Sequence, residues 1–207
     1  MTKLLIVRAH PFTGEASRSM AITDAFIESY KQENPNDIIE DTNLYDMAVP
    51  EIDHHLLSAW KSLGEGVPFD DLKEQQQQKV TLFSGYTENF LSADKVVIAN
   101  PLWNLNIPAR LKAWIDTTNV SGKTFKYNEL GQPIGLVTDT KVLHIQSSGG
   151  AYGGKDPASV YIKTIFNFIG VSDFHELFAE GLDYAPESAP QIMANAIEQA
   201  IILGKSF

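Results

Sequence analysis

A chain of 207 residues, 43% hydrophobic and 10% aromatic, carries enough apolar surface for one large core, so a single domain spanning 1–207 is expected. The absence of cysteine excludes disulfides, iron–sulfur ligation and a thiol nucleophile, and fits a reducing compartment. The formal net charge of −10 weighs against nucleic-acid and anionic-membrane partners, no segment approaches the roughly 20 apolar residues of a spanning helix, and a cytoplasmic location is expected.

In chain order, residues 4–7 (Leu-Leu-Ile-Val) read as a fully buried strand, and 37–44 as a weaker edge strand. Between them Ile22, Phe26 and Tyr30 fall four apart on one helix face. Residues 52–90 read as mostly helical, with Gln75 to Gln78 as an exposed helical turn. Strands follow at 96–99, 142–146 and 174–178. Helical stripes fill the gaps: Ile107, Leu111, Trp114 and Ile115 after Pro108, then Tyr161, Ile165, Phe168 and Ile169, and finally Met193, Ile197, Ala200 and Ile201. Strands alternating with helices predict a parallel sheet covered on both faces.

Ligands of such sheets bind beyond the carboxyl ends of the strands, which directs attention to three loops. After the first strand, His10 leads to Ser17-Arg18-Ser19 at a helix start, where free amides, hydroxyls and the positive dipole end suit a phosphate. Equally, Ser17 or Ser19 serves only as the helix cap, and His10 only packs the loop. After the third strand, the segment from Pro101 and Leu102 through Trp103, Asn104 and Leu105 to Pro108 offers an aromatic side chain and backbone amides to a flat ring; its bland alternative is a hydrophobic loop tucked under a helix. After the fourth strand, Ser147, Ser148, Gly149 and Gly150 permit close backbone approach to a planar ligand. That loop nearly spells a nucleotide P-loop, with Gly149 and Gly154-Lys155 correctly spaced, but Asp156 stands where a magnesium-binding Ser or Thr belongs. Asp53-His54-His55 lacks the spacing of a metal site and reads as a solvated face, so no metal is expected. No nucleophile elbow and no dinucleotide fingerprint occurs, so no catalytic side chain is singled out, and the chemistry points to a bound cofactor.

The three loops in order, with Thr124-Phe125-Lys126-Tyr127 and Ala179-Glu180-Gly181, resemble the FMN-dependent NADH azoreductases of the flavodoxin-like quinone reductase group over nearly the whole chain. The resemblance implies an α/β, flavodoxin-like, doubly wound, five-stranded parallel sheet of order 2-1-3-4-5. It also implies FMN as cofactor, NADH as donor, and small aromatic acceptors such as quinones and azo compounds. His10, Ser17, Arg18, Ser19, Pro101, Leu102, Trp103, Asn104, Leu105, Ser147, Ser148, Gly149 and Gly150 are then the cofactor-binding residues. A homodimer with its sites at the interface is implied too, with Tyr127 and Phe168 matching positions of the acceptor pocket; Phe168 fits a helix core as well. Three departures bear on flavin potential and acceptor range: His10 where relatives often have serine, Trp103 for a more familiar tyrosine, and Ser148 where arginine is common. An electron-carrier flavodoxin without a substrate of its own is the alternative.

Overall fold

Alternate residues of a strand face opposite sides of its sheet, so a strand that is apolar throughout needs cover on both. The computed structural model describes residues 1–207 and has this arrangement. Its strands are β1 (Lys3–Arg8), β2 (Ile38–Asn43), β3 (Lys95–Pro101), β4 (Phe125–Tyr127), β5 (Pro133–Gly135), β6 (Lys141–Ser147) and β7 (Phe174–Ala179). All but β4 and β5 pair in parallel as one five-stranded sheet, β2-β1-β3-β6-β7, the 2-1-3-4-5 order that the resemblance implies. The helices are α1 (Arg18–Glu33), α2 (His54–Gly64), α3 (Glu74–Leu91), α4 (Ala109–Thr118), α5 (Pro157–Phe168) and α6 (Ala189–Ser206).

The period-two alternation divides the core in two. Leu5, Val7, Val96, Ile98 and Val142 pack under Phe90 of α3, Trp114 of α4 and Phe166 of α5. Leu4, Ile6, Val97, Leu143 and Ile145 pack under Phe26 and Tyr30 of α1 and Ala200 of α6. Helices α1 and α6 cross closely because residue 204 is glycine: a Cβ there would lie 2.6 Å from Phe26 O. Strand β2 is half exposed, as an edge strand with Glu40 and Asp41 in it should be.

Two features differ from the sequence reading. The antiparallel pair β4–β5 was not expected, since its three-residue strands are too short to show a period and Asn128 to Gln132 closes it as a tight loop. The glutamine tract, in the first turns of α3, does more than face solvent. Gln76 accepts from Lys73 N–H (3.0 Å) and donates to Ser58 Oγ (2.9 Å), while Gln77 donates to the carbonyls of Asp70 and Leu72, tying α3 to α2 and to the preceding single 3₁₀ turn.

Candidate active site

Hydrogen bonding continues one residue past three of the strands. Ala9 N–H donates to Ala99 O (2.8 Å), Leu102 N–H to Ser147 O (2.8 Å) and Ser148 N–H to Ala179 O (2.9 Å). The chain therefore leaves the sheet in register at His10, Trp103 and Gly149, and all three open on one cleft of about 390 Å³. His10, Ser17, Arg18, Pro101, Leu102, Trp103, Ser147, Ser148 and Gly149 line it, joined by Ala16 and Asp183. Size does not single it out, since cavities of about 480 and 400 Å³ flank Phe178 at the β7 edge. What marks it is the supply of unspent hydrogen-bond donors from three separate segments.

At the first segment Ser17 holds the N-cap position of α1 in extended conformation, yet its side chain makes no capping bond. The bland reading of Ser17 as a cap therefore fails. Its Oγ lies 3.4 Å from Ser19 Oγ, and the amides of Arg18, Ser19 and Met20 have no partner in the chain, so the positive end of a 16-residue helix stands open. Ser19 itself is fully buried and reaches the cleft only through Ser17. His10 accepts from Phe12 N–H at Nδ1 (3.0 Å), which in the neutral ring leaves the proton on Nε2. Burial holds its pKa below the ordinary histidine value.

At the second segment, Trp103 and Asn106 exchange two backbone hydrogen bonds of 2.9 Å around Asn104 (φ 49°) and Leu105 (φ 60°), the geometry of a two-residue turn that usually takes Asn-Gly. Leucine in this region is strained, and the turn leaves the amides of Asn104 and Leu105 free. Trp103 is 39% exposed, its ring 5.4 Å from that of His10 and 6.5 Å from that of Tyr45. The loop tip is thus not tucked under a helix; only Leu102 and Ile107 join the core.

At the third segment the carbonyls are spent and the amides are not. Ser148 O accepts from Leu182 N–H, Gly149 O from the amides of Asp183 and Tyr184, and Gly150 O from Gly181 N–H, while the amides of Gly149 and Gly150 remain free. Ser148 Oγ donates to Gly150 O (2.8 Å) and shapes the loop from within. Gly149 also lets Asp183 come close, because a Cβ would meet Asp183 Oδ2 at 2.4 Å and turn that exposed carboxylate aside.

The P-loop likeness dissolves on the same loop. The amides of Tyr152, Gly153 and Gly154 converge on Glu180, and Asp156 is a buried N-cap that accepts from Ala158 and Ser159 of α5. Asp156 also ends a buried chain in which His144 Nε2–H donates to Asn100 Oδ1, Asn100 Nδ2 to Gln146 Oε1, and Gln146 Nε2 to Asp156 Oδ2. Burial depresses the His144 pKa to about 3, so the ring is neutral.

Sequence reasoning missed Asp183 and this polar chain, and it singled out Glu180 only within the segment Ala179-Glu180-Gly181, with no role. Asp183 and Glu180 follow β7, whose carboxyl end also faces the cleft, so the loop after the last strand belonged with the other three. Asp183 pairs with Arg18 at 2.7 Å across the mouth. Asn104, Leu105 and Gly150 flank the cleft without lining it. Tyr127 and Phe168 lie outside it, both against Phe125, with ring centroids 5.8 and 4.8 Å from it. Phe168 packs partly against the core.

A family pattern described as the flavodoxin-like fold matches residues 2–201. An FMN-dependent NADH:quinone oxidoreductase of Bacillus pumilus is 45% identical over the full length of both chains, and a second protein of that description from Bacillus subtilis is 42% identical, again over both full lengths. Among solved structures, an azoreductase of Bacillus anthracis superposes with a TM-score of 0.91 at 34% identity over all of both chains. An FMN-dependent NADH-azoreductase of Bacillus anthracis in complex with FMN superposes at 0.87, 36% identical, over 99% of this chain and 100% of the other.

Proposed function

The chain belongs to the flavodoxin-like fold family, and on that premise we propose that it is an FMN-dependent NADH:quinone oxidoreductase that also reduces azo compounds. The observation that carries this reading is the opening of three carboxyl-end loops on one cleft beside an exposed tryptophan, with unspent backbone amides at Arg18 and Gly149 on its wall and at Asn104, Leu105 and Gly150 on its flank. Such a cradle fits FMN at both ends. The open start of α1, with Ser17 and Arg18, would hold the phosphate, and the amides of Asn104, Leu105, Gly149 and Gly150 would serve the polar edges of the ring.

When bound, FMN supplies the redox chemistry, taking hydride from NADH and returning it to the acceptor. The protein contributes position and electrostatics. The free amides of Asn104, Gly149 and Gly150 belong to peptide units whose carbonyls, at Trp103, Ser148 and Gly149, are already bonded, so they would stabilise negative charge on a bound ring without reorganising. Trp103 beside His10 offers a flat wall on which the donor nicotinamide and an aromatic acceptor stack in turn. One open face serves both, so the kinetics are ping-pong, and cleaving an azo bond to two amines consumes two NADH in two rounds.

The whole chain acts as one flavin-binding unit in the cytoplasm. Tyr127, 59% exposed on β4 beside the Phe125–Phe168 pair, completes the acceptor pocket of a second copy in a homodimer. The first test is the visible spectrum of the purified protein before and after anaerobic NADH. A flavin spectrum that bleaches and recovers on adding a quinone supports the enzyme; a protein that cannot be loaded with FMN refutes it. Failure to turn over NADH with a soluble quinone would favour an electron carrier.

A further inference from the structure

The segment after β6 is a phosphate-loop-like nest that contains its own anion. Consecutive amides of Tyr152, Gly153 and Gly154 donate to the Glu180 carboxylate at 2.7, 2.6 and 3.0 Å. Gly153 (φ 62°) and Gly154 (φ 67°) both sit in the left-handed region, in a turn whose successive N–H groups face one side and make an anion-binding concavity. Three convergent donors favour a negative charge at the centre of such a loop, because each bond to a carboxylate is charge-assisted. Glu180 supplies it from the end of β7, and the next residues continue the junction through Gly181 N–H to Gly150 O (2.8 Å) and Asp183 N–H to Gly149 O (3.0 Å).

We infer that Glu180 is the positioning residue of the ring-edge loop: by filling the nest at 152–154 it holds Gly149, on the cleft wall, and Gly150 beside it with their amides free. Glu180 touches neither ring nor substrate; it acts through the backbone it gathers. With the carboxylate removed, the nest becomes an empty oxyanion site that an external small carboxylate or inorganic phosphate fills. The nest itself is independent of the flavin reading, whereas its consequence for the ring edge rests on it.

The experiment compares the wild type, Glu180→Gln and Glu180→Ala, using formate as the probe against chloride at equal ionic strength, since inorganic phosphate would also compete for the open start of α1. Thermal midpoint reads the nest, and FMN dissociation, followed by quenching of flavin fluorescence, reads the ring edge. The alanine variant is expected to gain more thermal stability from formate than the wild type, whose only open anion site is the start of α1, present in all three proteins. Its FMN dissociation constant should rise about tenfold or more, the equivalent of one charge-assisted hydrogen bond, and recover most of that with the anion. Glu180→Gln, which keeps an acceptor but not the charge, should fall between. No formate stabilisation of the alanine variant beyond that of the wild type would overturn the nest. Stabilisation without any change in FMN affinity would overturn the positioning role. A wild type that takes up no FMN would overturn the functional reading and the positioning role with it, while the thermal shift would still decide the nest.

Discussion

Replacing Asp156 by alanine should expose how much the site leans on the buried polar chain behind it. The Asp156 carboxylate is 1% exposed and accepts from the amides of Ala158 and Ser159, from Gln146 Nε2 and from Ser159 Oγ, the last at 2.7 Å. Ser159 Oγ can turn to the Asp156 carbonyl, 3.1 Å away, so it adds little to the loss. Loss of the helix cap costs about 1 kcal/mol. Leaving the buried Gln146 amide without its acceptor costs roughly 1–3 kcal/mol more. A total near 3 kcal/mol lowers the melting temperature of a domain this size by roughly 6–12 °C. Asp156→Asn should lie between the wild type and the alanine variant, because its amide opposes that of Gln146, and turning Gln146 over passes the conflict on to Asn100. Calorimetry on the apo proteins measures both. An alanine variant melting within about 2 °C of the wild type would refute the reasoning, because cap and polar chain would then contribute almost nothing.

Further outcomes follow from the same contacts. The unfolded chain protonates His144 near pH 6.5, whereas the folded chain resists down to about 3, so this residue costs no stability above pH 6.5 and about 1.4 kcal/mol per pH unit below it. Between pH 6.5 and 5 the loss is about 2 kcal/mol, and urea titrations of His144→Gln should lack that increment; equal acid sensitivity in both proteins would count against it. Gly204→Ala forces α6 away from Phe26 O, at a steric cost of about 1–3 kcal/mol that outweighs the ~1 kcal/mol of helix propensity gained. Its denaturation midpoint should drop, and a rise would contradict the close crossing. Leu105→Gly relieves a left-handed conformation worth about 1–2 kcal/mol, and the greater freedom of glycine in the unfolded chain returns roughly half. A melting temperature higher by roughly 1–4 °C is expected, and a fall would mean that the half-exposed leucine packs more than its 51% exposure suggests.

The parallel sheet was legible in the sequence because burial on both faces leaves an unmistakable trace, runs such as Leu4 to Val7 with no polar interruption. Helix stripes at Ile22, Phe26 and Tyr30 were as plain, and those residues are all fully buried. Three cleft segments could be located in advance, since loops at the carboxyl ends of parallel strands must share one edge of the sheet. Whether Ser17 caps α1 or faces a ligand could not be read, because both uses employ the same residue at the same position.

What the amino-acid order determined by itself was local: which residues form strands and helices, and where glycine, proline and hydroxyl groups punctuate the turns. Only the tertiary structure decided the partners. It set Glu180 in the nest of Tyr152 to Gly154, Asp183 against Gly149 and Arg18, and His144 in line with Asn100, Gln146 and Asp156. Each of these contacts joins groups separated along the chain but adjacent once β1, β3, β6 and β7 lie side by side, and a hydrogen bond depends on that final distance, which no local pattern encodes.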